Sequence, residues 1–411
     1  MQFRDYEPDT DREAVQRIWR ETGWLREGKE EVMDLYLDGS RAIVAELNGE
    51  AECLVNTVSG TLRYLDADLP MSCVAGVTTS RIARKQGLAT RLTAQAVADD
   101  AAGGAIVSVL GMFEQGYYDR LGFGAGSYEY WVRFDPARLK VDLDPRVPRR
   151  LTVDDRSAVH ANRLNRLRRH GACTLTPLQG THAEMLSIYK QSFGLGYFDG
   201  PDGQLTHHVW FGVKENVELG PYTVRWMAWQ TPQQFRELLA IIKSLADQVA
   251  MISVREPSGI QWQDLIEKPF ESQTLSRGGE YEQRIECNAY WQMRICDLPK
   301  CLDQTHLPGD DVRFNLRLTD PIERFLPENA PWRGVAGEYV VSLGPSSGAR
   351  RGADSSLATL EASVNAFTRM WLGVRPATGL AITDDCSAEP LLLEQLDRVL
   401  CLPDPKPDWE F

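Results

Sequence analysis

Apolar positions in the first 130 residues switch between helical and alternating spacing, and each switch marks an element. Ala14, Val15, Ile18 and Trp19 recur at helical spacing behind an acidic turn with Asp11 and Glu13, which predicts a helix from Asp9 that Gly23 ends. A second short helix is expected around 30–37. Strands at 42–47 and 51–58 flank Asn48-Gly49, a two-residue hairpin signal. Residues 62–65 and 71–79 read as two further strands. A helix then carries Leu88, Leu92 and Ala96 on one face, followed by an apolar strand at 105–110. Residues 114–121 read as a short helix closed by Gly122.

Asp142, Asp144, Pro145 and Pro148 mark a boundary around 140–150. Beyond it the clearest pieces are a strand at 222–229, a helix with Phe235, Leu238, Leu239, Ile242, Leu245 and Val249, and a strand at 250–254. That order repeats the style of the first part without its glycine loop. From about Tyr290 strands are expected at 291–295, 312–318 and 338–343. Ser363 suits the N-cap of a helix with Val364, Phe367, Thr368, Trp371 and Leu372, stopped by Gly373. Pro390 opens a last helix with Leu392, Leu393, Leu396 and Leu400. The chain then runs extended through Pro403, Pro405 and Pro407 to Trp409, Glu410 and Phe411.

The 411 residues exceed one hydrophobic core, so two to four domains of mixed α/β (α+β) type are expected. A net charge of −13 repels phosphate backbones and anionic lipid, which argues against nucleic acid or a membrane as partner. The same field attracts cationic molecules. Eight cysteines without CxxC pairs argue against a disulfide framework or a zinc site and for a reducing compartment. The polar start and the lack of any long apolar segment lead us to expect a cytoplasmic, unprocessed chain. His160, His170, His182, His207, His208 and His306 show no metal-ligand spacing, so no metal is expected and surface positions are their default. Arg163, Arg166, Arg168 and Arg169 read as a solvated helix face.

The chemistry concentrates in Arg84-Lys85-Gln86-Gly87-Leu88-Ala89, a basic loop between strand and helix. Its backbone N–H groups open a helix N-terminus, where phosphate charge is favoured. Gly87 and the small Ala89 allow close backbone approach. Alone, such a loop is more simply a basic solvated turn. The second element is Tyr117-Tyr118-Asp119-Arg120-Leu121-Gly122-Phe123, at the distance where a following strand and helix return to the same cleft.

Together these segments resemble the GNAT acetyltransferases, whose [QR]xxGx[GA] pattern is filled here by Arg84, Gly87 and Ala89. Tyr117 to Phe123 fills the family's aromatic-Tyr-x-x-Leu-Gly-Phe segment. Ser80-Arg81 stands where many members have a proline. The resemblance implies acetyl-CoA as co-substrate, with Val77 and Thr79 pairing with the pantetheine arm. It places the amides of the loop, Arg84, Lys85, Gln86, Gly87, Leu88 and Ala89, at the pyrophosphate. It puts Tyr118 near the thioester sulfur, where a phenol of ordinary pKa near ~10 can protonate the leaving thiolate.

The segments 1–145, 146–290 and 291–411 further resemble the enhanced-intracellular-survival acetyltransferases: a GNAT domain, a second GNAT-like domain and a sterol-carrier-protein-like domain with a C-terminal tail. The residues that carry this are Tyr222-Thr223-Val224-Arg225-Trp226, Trp291-Gln292-Met293-Arg294 before Asp297-Leu298-Pro299, and the ending Trp409-Glu410-Phe411. By that likeness the C-terminal carboxylate of Phe411 reaches the active site as base, and the enzyme is a homo-hexamer. Phe113-Glu114-Gln115-Gly116 departs from the family's Ser-Glu-Gly-Gly stretch and lacks its hydroxyl. Trp19, Trp24 and Tyr36 stand where such enzymes build the acceptor pocket, and are equally readable as packing aromatics. Glu114 is the local carboxylate.

The function expected is therefore transfer of acetyl from acetyl-CoA to a primary amine by direct attack, without metal or covalent enzyme intermediate. Aminoglycosides, polyamines, lysine side chains and arylalkylamines all remain open as acceptors. The alternative is a non-catalytic coenzyme A or apolar-ligand binding protein, which would release no thiol with any amine.

Overall fold

After Gln2–Asp5 (β1), Pro8–Thr22 (α1) carries proline in its first turn and stops where Gly23 turns left-handed at φ 81°. Glu30–Asp38 (α2) follows, then the hairpin of Arg41–Leu47 (β2) and Glu50–Tyr64 (β3), turned by Asn48 and Gly49 at φ 56° and 88°. In this computed structural model, which describes residues 2–186, 191–213, 219–269 and 279–411, 62–65 is not a separate strand. It is the end of β3, which pairs along its length with Ala67–Thr79 (β4). The apparent break at Gly60 is a crossing point, since a Cβ there would lie 2.1 Å from the carbonyl oxygen of Thr174. Leu88–Ala102 (α3) and Val107–Gly111 (β5) come next, then Gly124–Ala125 (β6). The helix expected at 114–121 shrinks to a 3₁₀ turn, Asp119–Leu121, because Gly116 at φ 107° cannot continue a helix.

Glu129–Phe134 (β7), Arg149–Leu151 (β8) and Arg156–Leu164 (α4) lead to Cys173–Leu175 (β9), Leu178–Met185 (α5) and Gln191–Tyr197 (β10). His207–Val213 (β11), Tyr222–Ala228 (β12), Pro232–Ser244 (α6), Ile252–Arg255 (β13) and Arg284–Asn288 (β14) follow. Thr231 and Gln234 form a capping box on α6. That helix stops short of Leu245 and Val249. The remaining elements are Trp291–Ile295 (β15), Leu298–Asp303 (α7), Val312–Thr319 (β16), Gly337–Leu343 (β17), Gly348–Arg351 (β18) and Thr359–Ser363 (β19). Val364–Trp371 (α8) is capped by the Ser363 hydroxyl, then come Ala377–Thr383 (α9), Cys386–Ser387 (β20) and Pro390–Val399 (α10).

The chain divides into two compact units. One comprises 1–127, 169–177 and 289–411, and holds two sheets. The first has order β1-β2-β3-β4-β5-β15-β6 with β9 on β3, and the second β18-β17-β16-β19-β20. Thus β15, from the last third of the sequence, inserts between β5 and β6. One core joins Leu62, Tyr64 and Met71 to Trp291, Phe314, Phe367 and Trp371. Tyr64 stacks on Trp371 at 4.3 Å between ring centroids and donates to its carbonyl oxygen. Arg294 on β15 is fully buried, donating to Asp320 at 2.6 Å and to the carbonyl oxygen of Leu121.

The other unit, 128–168 with 178–288, has the sheet β14-β7-β13-β12-β11-β10-β8. Its parallel β12-α6-β13 repeats the parallel β4-α3-β5 of the first unit. Here the histidines depart from a surface default. His160, His207 and His208 are buried, as is His170 in the first unit, and so are Arg163 and Arg166. Each is absorbed by polar partners: Arg163 pairs with Glu184 and lies over the Trp226 ring. The Nε2 of His208 accepts from the Trp226 indole at 2.9 Å, so its Nδ1 carries the proton toward Asn162 Oδ1 at 2.6 Å. No helix among the described residues is long and apolar enough to cross a membrane.

Two outcomes follow from these buried groups. Asp320→Ala leaves the Arg294 guanidinium buried without its countercharge and should cost about 3–5 kcal/mol, read by urea denaturation. A loss below about 1 kcal/mol would show that the pair carries no such constraint. Burial, aided by the Arg163 charge, pushes the His208 imidazole down from 6.5 to about 3. The unfolded chain then takes up the proton first, so the stability carried by the neutral ring is full above 6.5 and is lost as pH falls toward 3. Denaturation at neutral pH and at about pH 5 should show a steeper acid loss for the wild type than for His208→Gln. Parallel losses would contradict this assignment.

Candidate active site

The site begins where two parallel strands part. β4 and β5 pair from Met71↔Val107 to Val74↔Leu110 and no further, while the β3–β4 register shifts between Asn56 and Thr57. Beyond that bulge the Ser80 N–H points to the Glu52 carbonyl on β3 at 2.9 Å. Alternation along the strand then turns the amides and carbonyls of Val77 and Thr79 the other way, toward the gap that β5 has left. An extended ligand can pair there as an added strand.

The loop after β4 is pinned at both ends by buried Ala83 and Leu88, and Glu21 accepts from the Arg81 N–H at 2.7 Å. Between the anchors Arg84, Lys85, Gln86 and Gly87 are exposed, with Lys85 and Gly87 left-handed at φ 63° and 73°. No atom lies within 4 Å of where a Cβ at Gly87 would sit, so that side of the loop is open. The first intrahelical bond of α3 runs from the Arg91 N–H to the Gly87 carbonyl, leaving the preceding amides for an anion.

A cleft of about 770 Å³ is lined by Trp24, Val77, Thr78, Thr79, Arg84, Lys85, Gly87, Leu88, Ala89, Glu114 and Tyr118 among others. Most of the residues singled out from the sequence therefore meet in one place. Tyr118 is 8% exposed and packs edge-on against Tyr117 and Phe123, at 4.8 and 6.2 Å between centroids. Burial, reinforced by Tyr117, pushes its phenol well above the ordinary value, so the hydroxyl keeps its proton across the physiological range.

Four positions lie off the cleft lining. Trp19 and Tyr36 pack among Val15, Ile18, Met33 and Leu37 between α1, α2 and the sheet. Gln86 turns back to donate to the Ile82 carbonyl at 3.3 Å. Phe411 sits where β5 ends, its main-chain oxygen 3.2 Å from where a Cβ on Gly111 would be. The segment before it is held along its course: Pro407 accepts from the Cys173 N–H at 2.7 Å, Pro405 accepts from the Ser127 hydroxyl, and Trp409 is buried. The sequence reading missed Glu21, Thr22, Phe113 and Arg120 in the cleft. Arg120 stood inside the quoted Tyr117–Phe123 segment, whereas nothing in the pattern of α1 distinguished Glu21.

Among the described residues one group has metal-ligand spacing, Asp199, His207 and Glu237 in the second unit, with ligand atoms within 4.8 Å. The Arg146 guanidinium already bridges both carboxylates, 2.7 Å from Asp199. That supplies the positive charge a metal would bring.

The sequence profile of the acetyltransferase (GNAT) domain matches residues 5–126. No curated protein matches the chain. Many solved structures share its fold, three of them as follows. A conserved protein of Enterococcus faecalis, described as a probable N-acyltransferase, is 15% identical with a TM-score of 0.78, over 98% of this chain and 97% of that one. A GCN5-related N-acetyltransferase of Kribbella flavida is 17% identical with a TM-score of 0.74, over 100% and 98%. An Eis protein of Mycobacterium abscessus is 17% identical with a TM-score of 0.76, over 100% of each chain. Residues 5–126 thus form an acetyltransferase domain of GNAT type, and the chain is an acyltransferase.

Proposed function

We propose that the chain transfers acetyl from acetyl-CoA to a primary amine by direct attack, as a member of the enhanced-intracellular-survival group. The observation that carries this is the parting of β4 from β5 beside the open, basic Gly87 loop, with the neutral Tyr118 hydroxyl in the same cleft. Val77 and Thr79 would pair with the pantetheine arm. The amides from Arg84 through Ala89, with the Arg84 and Lys85 charges, would hold the pyrophosphate. The amine nitrogen forms the C–N bond and the C–S bond breaks. Tyr118 gives its proton to the departing sulfur, and the proton lost by the nitrogen restores the phenol by way of water or a carboxylate.

Residues 1–150 contain no histidine to serve as base. We assign that role to the carboxylate of Phe411, which acts through water or by stabilising the developing ammonium, since a free α-carboxylate of ordinary pKa about 3.5 is only weakly basic. The likeness to the Mycobacterium abscessus protein over the full chain supports a three-part layout, the last part sterol-carrier-protein-like, although the first boundary at 145 falls inside the second unit, whose sheet takes in β7. A homo-hexameric state and a cytoplasmic location belong to the same proposal.

Thiol release from acetyl-CoA against a panel of amines tests the function, and release no faster than in buffer for every amine would sink it. Tyr118→Phe should lower kcat by about 10²- to 10⁴-fold with little change in acetyl-CoA affinity. Wild-type turnover would return Tyr118 to packing alone. Adding a few residues after Phe411 should cut kcat sharply while acetyl-CoA affinity and Tm hold. Equal activity of the extended and native-ended proteins would exclude the terminal carboxylate and leave Glu114 as the base.

A further inference from the structure

The cleft lining mixes two chemistries. Arg84, Lys85 and Arg120 are cationic and suit phosphate. Trp24, Phe113, Glu21 and Glu114 are aromatic or acidic. Phe113 is 86% exposed and Trp24 43% exposed, two large aromatic faces kept in water within one small concavity. Leaving a phenylalanine ring solvated forgoes most of what its burial contributes, and exposed aromatics in a cleft are where a ligand recovers it.

The Trp24 face is set in place rather than loose. Its ring meets Trp19 edge-on at 5.8 Å, and its Cζ3 lies 3.5 Å from where a Cβ at Gly76 would stand. At that distance a Cβ would be in ordinary contact with the ring, so the ring lies directly over the Gly76 backbone. Buried Trp19, although off the cleft, therefore acts as the backing of a wall that faces it.

Charge limits what that wall can receive. Two side-chain carboxylates, Glu21 and Glu114, line the same cleft as three cations, and one Glu21 oxygen already accepts from the Arg81 N–H. A molecule with several ammonium groups finds too few countercharges here, and its hydroxyls or spare ammonium groups would lie against aromatic faces. A single ammonium on an apolar body suits both surfaces: its charge between Glu114 and Glu21, its body against Trp24 and Phe113.

Resting on the acetyltransferase reading, we propose that the acceptor is a monocationic primary amine with an apolar or aromatic body, and that Phe113 and Trp24 determine this specificity. Polybasic acceptors of the aminoglycoside or polyamine kind are disfavoured.

The test measures kcat/KM of the full chain with acetyl-CoA for 2-phenylethylamine, ethanolamine, spermidine and kanamycin. Phenylethylamine should exceed ethanolamine, which has the same charge without the body, by about tenfold or more, and should exceed both polycations. Phe113→Ser changes a side chain that is almost wholly in solvent, so the fold tolerates it. It should reduce the phenylethylamine-to-ethanolamine ratio to about threefold or less. Spermidine or kanamycin at or above phenylethylamine would overturn the proposal while leaving acetyl transfer intact. So would an unchanged ratio in Phe113→Ser. Bound acetyl-CoA with no turnover on any of the four amines would overturn the proposal together with the reading beneath it.

Discussion

A guanidinium with no route to water organises the first unit. Arg294 can stay charged there only with Asp320 opposite and the Leu121 carbonyl beside it, so three stretches of chain are tied to one point: β15, the turn after β16, and the turn that carries Tyr118. Trp332 covers the same guanidinium at 5.0 Å from its ring centroid. Gly122 has to be glycine for this to fit, since a Cβ there would come within 2.8 Å of Arg294 and 2.7 Å of Val364. Buried pairs of this kind add little net stability over apolar packing, but they penalise any other register heavily. The reward here is positional, because the turn that presents Tyr118 to the cleft is anchored from below by residues nearly two hundred positions later.

The same economy of position shapes the cleft. A parallel pair that stopped bonding at random would leave unsatisfied backbone groups. β5 avoids that on its far side by pairing with β15, while β4 keeps β3 and offers only its outward groups to the gap. The opening is thus a built slot flanked by a helix N-terminus. Cationic, acidic and aromatic side chains all line the cleft beside it.

How much of this the sequence disclosed depended on whether the cause was local. Gly23, Asn48-Gly49, Ser363 and Pro390 each act on their own neighbours, and the elements they bound stand where periodicity put them. The loop from Arg84 to Ala89 and Tyr118 stood out because the residue types expected of a phosphate cradle and a proton donor lie there at short spacing, and the cleft brings them together. The gap left between 58 and 62 misled because its cause is remote: Gly60 within it admits the carbonyl of Thr174. The histidines misled for a similar reason. His208 is buried because Asn162 and Trp226 satisfy both ring nitrogens, and neither partner is a sequence neighbour.

By itself, then, the sequence determined where helices start and stop, which hairpin turns tightly, and that the Arg84–Ala89 loop and Tyr118 are to be looked for in one place. These depend on caps, turns and motif spacing, interactions that span a few residues. The tertiary structure alone decided that β15 completes the first sheet, that Trp19 stands behind Trp24 while Tyr36 packs away from the cleft, and that Phe113 and Glu21 belong to it. It also brought Phe411 against Gly111 at the end of β5. Apart from the Trp19–Trp24 contact, those facts rest on contacts between residues tens to hundreds of positions apart. A side chain's partner at that range is set by how whole sheets and helices pack, which no local pattern encodes.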